Sequence, residues 1–213
     1  MSATKRASSR RRGKTVSGAD KWKNKEWLEI KAPDYVDDKV LGETFTSNTD
    51  SVVGRVVQIS LMDLTGSFKD LNYQLSFKVN EVAGRVAKTE FFQQELSRDF
   101  RRSQIRNHRS QIEGIFNFKL ADDARVRIKL FVVTPSRIHS SVKKEIRMAL
   151  VAKLEELTSE LTFPAFVNQL IKYEITNALV PVAEEIYPVK VCEISKVKVV
   201  KLPGNKPIVG RAA

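Results

Sequence analysis

The sequence predicts an α+β protein: a mainly antiparallel, barrel-like β-sheet with flanking C-terminal helices, preceded by a disordered basic N-terminal tail. Three observations carry this. Apolar residues recur at period two between residues 52 and 133, they recur at helical spacing after Pro135, and residues 1–20 hold six basic side chains with almost nothing apolar.

The tail, residues 1–20, carries Lys5, Arg6, Arg10, Arg11, Arg12 and Lys14 among Ser, Thr, Ala and Gly. Such a stretch cannot bury enough surface to offset its ordering entropy, so it is expected to be disordered until bound. Lys21, Lys23 and Lys25 then interleave with Trp22 and Trp27, where the tail meets the fold. Two readings stand for the tryptophans: stacking on bases, or anchoring the junction to the protein's own core.

Residues 21–135 are expected to form the β-rich, barrel-like RNA-binding region. Val52, Val53, Val56, Val57 and Ile59 make an apolar strand that ends at the turn signal Asp63-Leu64-Thr65-Gly66. Leu71, Tyr73, Leu75, Phe77 and Val79 alternate with polar residues, giving one apolar face and one wet face. A third strand is expected over about Val82 to Phe92, with Gly84 marking a bulge or a close backbone approach. Leu96 to Arg109 reads as a short helix with Leu96 and Phe100 inward. Ile112 to Leu120 and Arg125 to Val133 read as a hairpin about the turn Asp122-Asp123. The sheet is expected to curl into a barrel.

Residues 136–202 are expected to be helical with a closing strand. Val142, Ile146, Leu150, Leu154 and Leu157 share one helical stripe. A second helix follows Thr162 as N-cap, with Pro164 in its first turn and a stripe running from Phe163 to Leu179. Pro181 is expected to open a further short helical turn that stops before Pro188. Val189 to Lys201 reads as the last strand, and residues 203–213 as a loose tail. No internal repeat is found.

The chain of 213 residues holds 37 Lys and Arg against 25 Asp and Glu, a net charge of +12. A surplus of that size points to an acidic partner. No run of roughly 18 apolar residues is present to span a bilayer, and the N-terminus lacks the apolar stretch of a secretory signal. The expected partner is therefore nucleic acid and not membrane, in the compartment where the chain is made. One cysteine, Cys192, and two histidines, His108 and His139, cannot assemble a zinc site of the usual Cys and His type.

Catalytic motifs are weak. The stretch from Gly84 to Thr89 ends in Lys88-Thr89 but lacks the glycine before the lysine that a phosphate-binding loop needs. The doublets Asp37-Asp38, Asp122-Asp123, Glu155-Glu156 and Glu184-Glu185 fit turns and wet helix faces better than acid–base chemistry. Cys192 reads as a small buried hydrophobe. The basic clusters say more. Besides the tail and its junction, Arg98, Arg101, Arg102, Arg106, His108 and Arg109 form one group, and Arg137, His139, Lys143 and Lys144 another. All are candidate RNA contacts, since Arg and Lys bind phosphates and arginine also stacks on exposed bases.

Several ordered motifs are similar to a known family. Lys21-Trp22-Lys23, Lys25-Glu26-Trp27, Lys31-Ala32-Pro33-Asp34, Gly54-Arg55-Val56 and Leu61 to Gly66 occur in succession. Ile112-Glu113-Gly114-Ile115-Phe116, Arg137-Ile138 and Ile186-Tyr187-Pro188 follow. Together they resemble the archaeal and eukaryotic small-subunit ribosomal protein 3Ae family, also called 1e, over nearly the whole chain beyond the tail, and the short C-terminus resembles archaeal members. The resemblance implies a structural constituent of the small ribosomal subunit, cytoplasmic and non-enzymatic, without a required cofactor. It implies a seat on the platform near the mRNA exit, against small-subunit rRNA near its 3′ end and beside other platform proteins, with mRNA and initiation factors as further partners. The other function class is a free RNA-binding or RNA-modifying protein that visits ribosomes transiently.

Overall fold

The computed structural model describes residues 25–36 and 39–203. The expectations for the tail at residues 1–20, for Lys21, Trp22 and Lys23, for Asp37-Asp38 and for residues 204–213 lie outside the described residues.

The chain opens with a pair of strands that the sequence reading passed over, β1 (Glu26–Lys31) and β2 (Val40–Thr46), antiparallel from Glu26 opposite Thr46 onward. Leu28 and Ile30 point inward, in a small apolar cluster with Val52, Val79 and Ala87. The first expected strand is shorter than its apolar run. β3 spans Val56–Ser60, and Ser60 then caps α1 (Leu61–Thr65) by accepting from the Met62 N–H at 3.3 Å. Gly66 ends that helix at φ 73, the left-handed position that glycine fills without strain. The turn signal of the sequence thus closes a helical turn.

Long strands β4 (Tyr73–Ala83) and β5 (Val86–Leu96) form a hairpin. Gly84 sits in its two-residue connection at φ 62, which corrects the reading of it as a bulge within one strand. The bulges lie elsewhere, at Ser76/Phe77 and Val79/Glu81, where register shifts. Leu71 falls outside the strand, in a 3-10 turn over Phe68–Asn72, and is exposed.

Helix α2 (Arg98–Gln104) begins two residues later and ends five residues earlier than expected: Leu96 is the buried last residue of β5, and the Ser97 hydroxyl caps the helix by accepting from the Phe100 N–H. β6 (Ser110–Lys119) and β7 (Arg125–Thr134) pair as the sequence indicates, from Ser110 opposite Thr134 to Lys119 opposite Arg125. Asp123 takes φ 60 in the connecting turn. α3 (Ser140–Glu160) is the long helix of the sequence reading.

The next apolar stripe is split. α4 (Phe163–Ile171) and α5 (Glu174–Ile186) are separated at Tyr173, whose φ is 61, and Pro181 lies inside α5 instead of opening a separate turn. Tyr173 is held there by its hydroxyl, which donates to Asp70 Oδ1 at 2.7 Å, and by its ring, set edge-on to Tyr73. Thr162 is the N-cap of α4 by position, but its side chain makes no capping bond; Asp122 Oδ2 accepts from the Phe163 N–H at 2.9 Å instead.

The last strand, β8 (Val191–Lys201), inserts between β5 and β7, giving one eight-stranded sheet of mixed architecture. β5 is its fork: β4 lies along one edge, while the other edge takes β1 at Val86–Lys88 and β8 at Gln93–Glu95. The sheet is therefore not closed into the expected barrel. Among the described residues β2, β3 and β6 remain edges. At the β6 edge, Arg147 of α3 donates to the Glu113 carbonyl at 3.1 Å, so a helix serves that edge where a barrel would need a strand. The main core lies between the sheet and α3 to α5, uniting Phe77, Phe91, Ile128 and Val197 with Ile146, Leu150, Leu154, Phe166 and Leu179.

Candidate nucleic-acid interface

Two of the basic clusters separated in sequence meet at one end of the β6–β7 hairpin. The arginine group ends where β6 begins, and the second group begins just after β7 ends. Ser110 joins them: it pairs with Thr134, and its hydroxyl accepts from the Ile138 N–H at 3.2 Å. The Thr134 hydroxyl reaches the carbonyls of Ser110 and Ser136, at 3.2 and 2.8 Å. Arg109 and Arg137 thus flank a buried hydroxyl pair that fixes their two chain segments together.

Around that joint Arg98, Arg102, Arg106, His108, Arg137, His139 and Lys144 are exposed. His108 adopts φ 65, turning the chain from α2 into β6, and His139 is the N-cap residue of α3. Lys143 and Arg109 are half-buried, and the Arg109 guanidinium donates to the Gln104 carbonyl at 3.0 Å.

Arg101 differs from its neighbours. It pairs with Glu95 Oε1 at 3.7 Å, is largely covered, and its Nε is buried without a bonded partner. Its contact is with the protein's own sheet. Lys25 also stands apart, on the β1–β2 arm, with its ammonium 4.5 Å from the Phe45 ring centroid. Beside it Trp27 is 60% exposed and packs edge-on against Phe45, so it does not anchor the junction in the core.

Sequence reasoning passed over a further basic group. On β7, Arg125, Arg127 and Lys129 alternate with buried Val126, Ile128 and Leu130, while on β8 Lys196 and Lys198 alternate with buried Val197 and Val199. The alternation is legible in both strands. Their adjacency is not, because β8 lies some 60 residues downstream of β7.

Chemistry of other kinds finds little purchase. Burial pushes the Cys192 thiol up to about 12, far from the reactive thiolate range. Among the described residues no group of three His, Cys, Asp or Glu side chains is placed to hold a metal ion, and no helix is long and apolar enough to cross a membrane. Asp122 and Asp123, expected in a turn, serve as a helix cap and as the partner of Lys119 at 2.5 Å.

The sequence matches the Ribosomal S3Ae family over residues 13–203. The chain belongs to the Ribosomal S3Ae family. Among its relatives, the small ribosomal subunit protein eS1 of Desulfurococcus amylolyticus is 34% identical over 193 residues, covering 89% of this chain and 91% of the relative. The protein of the same name from Saccharolobus islandicus is 36% identical over 186 residues, covering 87% and 89%. Both are archaeal, as the resemblance implied. Membership in the S3Ae family spans the sheet and helices alike, so the basic surface sits on a scaffold that is matched as a whole.

Proposed function

We propose that this chain is a structural constituent of the small ribosomal subunit in translation, held by electrostatic contacts to small-subunit rRNA. It works as a component of cytoplasmic ribosomes and not as an enzyme. The observation that supports RNA contact most directly is the convergence of two basic clusters around the Ser110–Thr134 pair, with seven cationic or imidazole side chains exposed. The Ser110–Thr134 pair holds the segments that lead into β6 and out of β7 side by side, and phosphate contacts from such groups give position and affinity without base specificity. The tail residues Lys5 to Lys14 and the junction lysines are further RNA contacts in this reading, while Arg101 is removed from the contact set by its bond to Glu95.

The seat we assign is the platform near the mRNA exit, against rRNA close to its 3′ end and beside other platform proteins, with mRNA and initiation factors as neighbours. Family membership supports the subunit; the basic hairpin end supports the RNA. Sedimentation of native subunits through a high-salt wash tests the reading: the chain is expected to stay with the small subunit. Quantitative release into the supernatant would mark a transient visitor instead.

A further inference from the structure

The solvent face of the sheet where β7 and β8 run side by side carries a feature that the hairpin end does not account for. Arg125 stands opposite Lys201, Arg127 opposite Lys198 and Lys129 opposite Lys196. Each of three successive outward-facing rungs therefore sets two cations side by side. Like charges directly across a strand pair repel and cost stability.

Carboxylates relieve the outer rungs. Glu113 binds Lys129 at 2.7 Å and Glu95 binds Lys196 at 2.9 Å. Asp123 is held below the usual carboxylate range chiefly by Lys119, with Lys201 and Arg125 adding to the effect. The middle rung is different. Arg127 donates from Nε to the Asn117 amide oxygen at 2.9 Å, and the Lys198 ammonium lies 5.3 Å from the Phe92 ring centroid. Both are exposed, and among the described residues neither pairs with a carboxylate.

We infer that the Arg127–Lys198 rung is a phosphate-binding site, over which the sugar-phosphate backbone of rRNA crosses β7 and β8. The inference rests on the ribosomal reading above and deepens it by naming a surface on the sheet. Hydrogen-bonded strands set the backbone positions of Arg127 and Lys129, and of Lys198 and Lys196, about 6.6 Å apart along each strand and about 4.8 Å apart between strands, a preset spacing for a polyanion. The guanidinium offers a planar fork and the ammonium a compact charge, and both are suited to phosphate oxygens. A protein partner fits less well, since interface cores are depleted in lysine and this face has few apolar groups beyond Ile115, Phe92 and Val200. The surface is also continuous with α2, because Glu95 holds Arg101 of that helix as well as Lys196.

The test is the salt dependence of binding between the full chain and deproteinised small-subunit rRNA, for wild type, R127A/K198A and the charge-retaining R127K/K198R. The alanine pair is expected to lower the slope of log affinity against log salt by about 1.5, from roughly 0.7–0.9 per lost phosphate contact. It should leave thermal unfolding unchanged or slightly raised, and the charge-retaining pair should restore the slope. If wild type binds with a steep slope and R127A/K198A matches it, this site is refuted while the ribosomal reading stands. If wild type itself shows no salt-dependent binding, both fall. Should R127A/K198A bind naked rRNA like wild type but fail to join assembled subunits, the face docks an acidic protein and the phosphate site is refuted.

Discussion

The hydroxyl of Tyr73 donates to the carboxylate of Glu193 across 120 residues of sequence, tying β4 to β8, two strands that do not pair with each other. Burial raises the Glu193 pKa, and the tyrosine's hydrogen bond opposes that rise. The phenol is pushed well above its ordinary value by its own burial first and by the Glu193 charge second. Replacing Tyr73 with Phe leaves a buried carboxylate without its donor. The expected loss is about 1–3 kcal/mol, read as a lower denaturant midpoint at unchanged slope.

Glu193→Gln separates the charge from the hydrogen bond, since a glutamine oxygen still accepts from Tyr73. The folded protein holds the Glu193 proton more tightly than the unfolded chain does. The stability this group contributes is therefore complete below its ordinary value of 4.5 and is lost as pH rises through the higher folded value. Wild type and variant are expected to melt alike near pH 4, with the variant gaining on wild type towards pH 7. Parallel melting curves across that range would contradict the burial of a titrating carboxylate.

Asp122→Ala removes the acceptor that caps the first N–H of α4. Capping losses run about 0.5–2 kcal/mol. Thr162→Ala, at the formal N-cap position, is expected to cost less, because its side chain makes no capping bond. Equilibrium unfolding of the two variants side by side gives the comparison.

Gly114→Ala places a methyl group 2.4 Å from the Phe116 ring and 3.4 Å from the Arg147 Cδ. The ring must move, and overpacking of this kind costs about 1–3 kcal/mol. Loss of the Arg147 bond to the Glu113 carbonyl should accompany it, seen as faster amide exchange at the β6 edge.

Replacing Arg98, Arg102 and Arg106 together with alanine removes three exposed cations while keeping the Arg101–Glu95 bond. The salt slope of rRNA binding is expected to fall by about 2–3, with the melting temperature unchanged. Arg101→Ala should do the reverse, moving stability more than the slope.

Much of this was written locally. The β6–β7 hairpin follows from the alternation of Val126, Ile128 and Leu130 with charged residues and from the turn at Asp122-Asp123, and α3 from its own apolar stripe, because each element's pattern and turn are contiguous. What escaped was set by contacts between distant segments. The apolar stripe from Phe163 to Leu179 runs through residue 173 unbroken, and only Asp70 and Tyr73 explain why the chain turns left-handed there. Barrel closure was expected of a mainly antiparallel sheet, but the choice of partners on β5 belongs to no single segment. The arginines from Arg98 to Arg109 were legible as a cluster; that Arg101 faces inward depends on Glu95, and that the segments carrying Arg109 and Arg137 lie together depends on Ser110.

The insertion of β8 between β5 and β7 also sets a timetable. A chain is made from its N-terminus, so the β4–β5 and β6–β7 hairpins emerge first, as separate pieces with a gap between them. Every paired rung of cations needs one residue from β8, which means none exists until synthesis has passed Lys196, and the last is complete only at Lys201. Half-made copies lack this charged ladder, and the sheet presents it only once β8 has been made and has paired with β7.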